Sequence, residues 1–206
     1  MTADSIIFDL DGTLWDATKA VTHAWQMAAA HFGGVPEPTH AAMTAAMGLE
    51  IAEIGEKLFP ELAPKERSIL LDRCCEEECR YLARHGGVLY DGVEDTLHYL
   101  TQKYPLFIVS NCPDGYIQAF LSAHGLEEYF SDFECPGRTG KPKSENIKLI
   151  VERNGLKSPV YVGDTQKDAD SARAAGLPFV FAGYGFGKVR EYSSRIEAVR
   201  ELCELF

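Results

Sequence analysis

Four short apolar runs, rich in β-branched and aromatic residues, constrain this chain most: Ser5-Ile6-Ile7-Phe8-Asp9, Leu106-Phe107-Ile108-Val109-Ser110, Val160-Tyr161-Val162-Gly163-Asp164 and Pro178-Phe179-Val180-Phe181. Runs this apolar, without polar alternation, suit strands covered on both faces, as in a parallel sheet. Asp132-Phe133-Glu134-Cys135 is a weaker fifth candidate. Helical patterns lie between them. Val93 to Tyr104 carries Val93, Leu97 and Leu100 on one face; Pro113 to His124 opens on proline and stops at Gly125. Lys143 to Asn154 stops at Gly155, and Gln166 to Ala175 stops at Gly176, the usual placing of proline and glycine around helices. Strand alternating with helix predicts a doubly wound α/β sheet.

One stretch breaks this rhythm. From Asp16 to Gly87 there is no convincing strand, only Ala-, Met-, Leu- and Glu-rich sequence punctuated by Gly33-Gly34, Pro36, Pro38, Pro60 and Pro64. It predicts about four helices inserted after the first strand. The expected organisation is an α/β core of residues 1–15 and 88–206 with an all-helical unit, residues 16–87, between its parts.

Composition excludes more than it selects. Twenty Lys and Arg against 31 Asp and Glu leave a net charge of -11, which argues against a nucleic-acid polymer or an anionic membrane as partner. Met1-Thr2-Ala3-Asp4 offers no basic leader, no apolar run approaches the length of a membrane span, and the six cysteines do not form a disulfide framework. Structural zinc would need four ligands, and only His85 lies near Cys74, Cys75 and Cys79. A cytoplasmic protein with reduced thiols is expected; the sequence is silent on oligomeric state.

In open α/β sheets ligands bind beyond the carboxyl ends of the strands. Those ends carry Asp9-Leu10-Asp11-Gly12-Thr13, Ser110-Asn111 and Gly163-Asp164-Thr165, and Gly140-Lys141-Pro142-Lys143 stands before a helix. Asp9 and Asp11 straddle Leu10, so along an extended strand they point the same way. With Asp164 they make a set of hard oxygen ligands suited to Mg²⁺. A cation there would let an acidic protein accept a phosphate, with Lys141, Ser110, Asn111 and the N–H groups after Asp11 as further partners. A carboxylate that attacks phosphorus needs an acid–base partner, and Asp9 and Asp11 can divide those roles.

In order, Asp9-Leu10-Asp11-Gly12-Thr13-Leu14, Ser110-Asn111, Lys141-Pro142 and Gly163-Asp164-Thr165-Gln166-Lys167-Asp168 resemble the four motifs of the haloacid dehalogenase superfamily. The helical insert falls where one subclass, the phosphoglycolate phosphatase-like and β-phosphoglucomutase-like branch, carries its cap. The resemblance spans essentially the whole chain. It implies Asp9 as nucleophile and Asp11 as general acid–base residue. Gly12, Thr13, Ser110, Asn111 and Lys141 would bind the phosphoryl group; Asp9, Asp11 (through its backbone carbonyl) and Asp164 would hold Mg²⁺, with Asp168 either a ligand or behind them.

By the same resemblance the second aspartate, Asp11, marks phosphoryl chemistry, since halide displacement needs no leaving-group proton. Hydrolysis of a small phosphorylated metabolite is expected: a phosphoglycolate-like ester, a sugar phosphate or a nucleotide. The alternatives are a phosphosugar mutase, a phosphonatase using a cap lysine (Lys19, Lys57 or Lys65), a pyrophosphatase, or a quiet binding protein. Asp16 is expected to cap a helix and Lys143 to be solvated. Gly183-Tyr184-Gly185-Phe186-Gly187 is expected as a flexible loop beside the site. Trp15 is expected either at the cap–core cleft or packed at the hinge, and His23 and Trp25 face either substrate or the cap interior.

Overall fold

A computed structural model describes residues 3–206; Met1 and Thr2, the start of the N-terminal stretch considered above, lie outside the described residues. Among the described residues a six-stranded, wholly parallel sheet runs in the order β5-β4-β1-β6-β7-β8. These strands are β1 (Ser5–Phe8), β4 (Leu106–Val109), β5 (Phe130–Glu134), β6 (Pro159–Gly163), β7 (Phe179–Ala182) and β8 (Ser194–Ile196). The four strong apolar runs form the four central strands. The edge strand β8 had no apolar run to announce it, because its sequence is Ser-Arg-Ile with only Ile196 buried.

Period-two geometry then divides the core. Ile6 and Phe8, Leu106 and Ile108, Val160 and Val162, and Val180 face one buried cluster. Ile7, Phe107, Val109, Tyr161, Phe179 and Phe181 face the other. Helices α8 (Lys143–Arg153) and α9 (Gln166–Ala175) cover the second face with Ile147, Ile150, Ala169 and Ala172. Helices α5 (Val93–Thr101) and α6 (Tyr116–His124) cover the first with Leu97, Leu100, Ile117 and Phe120. Each fully buried aliphatic or aromatic side chain contributes about 1.5–3 kcal/mol, so both faces must be covered for the sheet to persist. Short helices α7 (Pro136–Thr139) and α10 (Leu202–Leu205) complete the layer.

The insert is all-helical: α1 (Thr18–Phe32), α2 (His40–Thr44), α3 (Ile51–Leu58) and α4 (Pro64–His85). A two-residue antiparallel ribbon, β2 (Trp15–Asp16) with β3 (Val88–Leu89), ties its two ends together. Asp16 ends β2 and does not occupy the cap position of α1, which is Ala17; its carboxylate instead accepts from the N–H and hydroxyl of Thr18, the first helical residue, at 2.9 and 2.6 Å. Trp15 is fully buried and packs edge-on against Tyr116, Phe120 and His124, which settles its role as packing at the junction. The helix expected from Pro113 begins only at Tyr116, because Gly115 takes a left-handed φ of 94° at its start. No helix among the described residues is long and apolar enough to cross a membrane.

Candidate active site

The site lies at the carboxyl ends of β1, β4 and β6. Asp9 follows β1 and is anchored by its N–H donating to Val162 O at 2.9 Å. Asp164 follows β6, and Asp168 sits in the first turn of α9. Oxygen atoms of Asp9, Asp164 and Asp168 lie within 4.8 Å of one another, and all three side chains are buried. The Asp11 carboxylate is not in this trio; it accepts a hydrogen bond from the Tyr116 hydroxyl at 2.9 Å.

The lysine of the site is Lys143, not Lys141. Lys143 Nζ lies 2.9 Å from Asp9 Oδ1 and 2.6 Å from Asp168 Oδ1, with its side chain 3% exposed. Lys141 is exposed, one residue ahead of Pro142, and its hydrogen bonds are made by its backbone: its N–H donates to Thr139 Oγ1 and its carbonyl accepts from Asn146 Nδ2. The reason is the turn. Gly140 is left-handed at φ 67° and Pro142 is extended, so α8 opens on Lys143 and aims that residue at the strand ends. A cation at a helix start opposes the helix dipole. Two buried carboxylates compensate it here.

The remaining expected residues divide. Ser110 is buried and hydrogen-bonds the Asp9 carboxylate. Asn111 donates to Gly48 O of the insert at 3.2 Å, while its Oδ1 is buried without a partner. The amides of Gly12 and Thr13 do not face outward as free donors: they donate to Trp15 O at 2.9 Å and Leu10 O at 3.0 Å, closing the turn. Gly12 is required for another reason. Its φ is +81°, and a Cβ there would stand 2.2 Å from Asp164 Oδ2.

The glycine-rich loop is pinned rather than loose. Phe186 N–H donates to Asp164 Oδ2 at 2.7 Å and Tyr184 hydroxyl to Thr13 O at 2.7 Å. A Cβ on Gly185 would meet Asp164 Cβ at 2.3 Å. Asp168 is held by a reciprocal cap: Thr165 N–H donates to its Oδ2 at 2.9 Å, and its own N–H to Thr165 Oγ1 at 3.2 Å. Both its side-chain oxygens therefore have protein donors, so its first task is to fix Lys143.

Burial pushes these acids up. Asp9 rises to about 6, through desolvation and the nearby Asp168, against the pull of Lys143. Asp11 rises to about 7, through desolvation and Asp9. Asp164 rises to about 8, through desolvation and then Asp168 and Asp9. For Lys143 burial opposes the charge, but Asp168 and Asp9 outweigh it and the ammonium is held well above its ordinary range. Fully ionised, three carboxylates against one ammonium would leave an excess of two negative charges, which is what holds protons on this cluster, and Asp164 Oδ1 is buried with no partner. That donor set, all hard oxygen and short of two positive charges, fits a divalent cation.

Beside Asp11 a cavity of about 30 Å³ opens between core and insert. Trp25 and Glu78 wall it from the insert side, Asn111 and Tyr116 from the core. Of the insert residues singled out from sequence, Trp25 reaches the cavity, whereas His23 is exposed against Tyr81. Lys19, Lys57 and Lys65 are all exposed and none lines the cavity. Among the described residues no cysteine or histidine joins a group able to hold a metal, and all six cysteines are free. Glu78 and Tyr116 were not foreseen. The signal for Glu78 was present: Leu71, Cys74, Glu78 and Leu82 form one buried stripe of α4, and a carboxyl on such a stripe has no solvent to face.

Comparison with known proteins decides the family. A family model described as haloacid dehalogenase-like hydrolase matches residues 6–182. The chain belongs to that family. A phosphoglycolate phosphatase of Yersinia pestis is 28% identical over 189 residues, covering 88% of this chain and 81% of that protein. The Escherichia coli K12 phosphoglycolate phosphatase is 27% identical over 205 residues with the same coverage. A solved structure from Haemophilus somnus 129PT, described as a predicted phosphoglycolate phosphatase, superposes with a TM-score of 0.87 at 22% identity, covering 100% of this chain and 99% of that one. The α/β core with its inserted helical cap is thus the fold of this hydrolase.

Two stability effects follow for the hydrolase. Lys143→Met leaves Asp9 and Asp168 buried without their cation and should cost about 3–5 kcal/mol in urea unfolding. Lys141→Met should stay within about 0.5 kcal/mol; equal effects would refute the placement of the lysines. Glu78 is raised from an ordinary 4.5 to about 8, first by burial, against the hydrogen bond from Trp25. Between those values the unfolded chain has lost this proton and the folded chain keeps it, so the Glu78 contribution to stability falls as pH rises from 4.5 to 8. Glu78→Gln should therefore gain stability over the parent by about 2–4 kcal/mol between pH 5 and pH 8, measured as the difference between two urea series. A pH-independent difference would contradict the burial of an ionisable carboxyl there.

Proposed function

We propose that this hydrolase is a Mg²⁺-dependent phosphatase of small phosphate monoesters that works through an aspartyl-phosphate on Asp9. The observation that carries the reading is Asp9 itself: a buried carboxylate oriented by Lys143 and Ser110, beside a second carboxyl whose proton is exchanged near neutrality. The curated relatives at 27–28% identity are phosphoglycolate phosphatases, which supports phosphate ester as the substrate class.

The steps belong to this chain's residues. An Asp9 carboxylate oxygen attacks phosphorus as the phosphorus–ester oxygen bond breaks. Asp11, protonated, gives its proton to the departing alkoxide. Asp11, now ionised, takes a proton from water as that water attacks the phosphorus of the acyl phosphate, releasing phosphate and restoring both acids. A pKa near 7 suits a group that must act in both directions. Lys143 stays charged throughout and faces the oxygens that gather negative charge, the preorganised electrostatics that dominate such transfers. Asp9 and Asp164 would hold Mg²⁺, with Asp168 behind them through Lys143; the cation, when bound, supplies positive charge opposite the phosphoryl oxygens. Residues 16–87 act as the moving cap on a core of residues 1–15 and 88–206, hinged at the β2–β3 ribbon, and the cytoplasm is the proposed setting, with which the free thiols agree.

Hydrolysis of 4-nitrophenyl phosphate tests this. Turnover with Mg²⁺ should vanish in EDTA and in Asp9→Asn, and Asp11→Asn should lower kcat by about 10²–10⁴. Turnover that persists in EDTA or survives Asp9→Asn would overturn the mechanism.

A further inference from the structure

The cavity beside Asp11 receives whatever leaves as the alcohol, because Asp11 is the group that protonates it. Its walls have a chemistry of their own. No Lys, Arg or His lines it. The insert contributes mainly apolar side chains, among them Trp25, Met43, Leu49 and Ile54, and a single ionisable one, Glu78. Glu78 is 2% exposed on α4, and one of its oxygens accepts from the indole N–H of Trp25. On the core side Asn111 is oriented by its bond to Gly48 O, which leaves Asn111 Oδ1 buried in the wall without a donor. Asn111 Oδ1 therefore seeks a donor, while Glu78, kept protonated by its burial, can give or accept a hydrogen bond, and a hydroxyl serves both.

We propose that Glu78 is a specificity-determining residue of this hydrolase, selecting a neutral, hydroxyl-bearing leaving group and rejecting one that carries a carboxylate. The proposal rests on the phosphatase reading above and narrows its substrate class. A carboxylate in this cavity would be stripped of water among apolar side chains, beside the Asn111 acceptor and with no Lys, Arg or His to offset its charge. A small neutral alcohol finds an apolar wall and an acceptor for its hydroxyl. The cavity holds about two waters, so the leaving group is small and enters only as the cap moves. This separates the chain from the relatives whose name specifies phosphoglycolate, an ester whose leaving group is a carboxylate.

Three esters of nearly equal size test it: ethyl phosphate, 2-hydroxyethyl phosphate and phosphoglycolate, each with Mg²⁺. In the parent protein kcat/KM for 2-hydroxyethyl phosphate should exceed that for ethyl phosphate by about tenfold, the worth of one buried hydrogen bond. It should exceed that for phosphoglycolate by about a hundredfold or more. Glu78→Leu, close in volume, should abolish the preference for hydroxyethyl over ethyl, whereas Glu78→Gln, which keeps an acceptor and the Trp25 contact, should retain it. A parent that turns over phosphoglycolate best, or a folded Glu78→Leu that keeps the hydroxyl preference, overturns the role of Glu78 while leaving the phosphatase reading intact. If Glu78→Leu does not fold, the parent's order and the Glu78→Gln ratio decide alone. No Mg²⁺-dependent turnover of any ester would overturn both.

Discussion

Lys143 between Asp9 and Asp168 is the interaction on which the rest of the site depends. Two charges about 3 Å apart attract by several kcal/mol at the effective dielectric of a partly buried site, yet each has lost its water. The pair persists because every partner is fixed elsewhere: Asp9 by β1, Asp168 by its reciprocal cap with Thr165, and Lys143 by the start of α8. The arrangement is deliberately short of positive charge. Asp164 adds a third carboxylate on the far side with one oxygen unpartnered, and the glycines of two loops let backbone approach it closely. Charge balance, more than shape, makes this centre a place for a divalent cation and a phosphoryl group.

Much of this was readable from residue order. The apolar runs became the central strands because nothing but a doubly covered sheet can bury them, and the helix-rich stretch without strands became the cap. Asp9, Asp11, Ser110 and Asp164 stand at strand ends, where a parallel sheet presents its side chains. The misreading of the lysine has a physical origin. Lys141 and Lys143 flank one proline, and the motif pattern alone does not choose between them. The left-handed Gly140 and the start of α8 decide it, and both are three-dimensional facts. A lysine at the first position of a helix, where the dipole disfavours it, was the legible hint. Likewise Gly12 and Thr13 were read as donors because the motif places them there, but their amides close the turn that aims Asp11.

The cap shows a different limit. Its α4 uses a single stripe both to pack and to face the cavity, so Glu78 is indistinguishable by spacing from the residues that only pack. Its type, not its position, marks it. Core and cap thereby separate two tasks: the strand ends carry charge for the phosphoryl group, and the cap carries an uncharged wall with one carboxyl for the alcohol. The net charge of -11 is in part concentrated in that centre, and excluding nucleic acid on grounds of charge did not exclude a phosphate held by a cation and Lys143.

The central claim is that the buried trio of Asp9, Asp164 and Asp168 with one lysine is incomplete without a divalent cation. Thermal unfolding in rising Mg²⁺ tests it without any substrate. The account predicts that Tm climbs with Mg²⁺ concentration in the parent, as it must when a ligand binds only the folded state, and that Asp164→Asn, which removes one of the three charges and the unpartnered oxygen's ionic character, flattens the response. A parent Tm that does not change with Mg²⁺, or an Asp164→Asn protein that responds as the parent does, would contradict it.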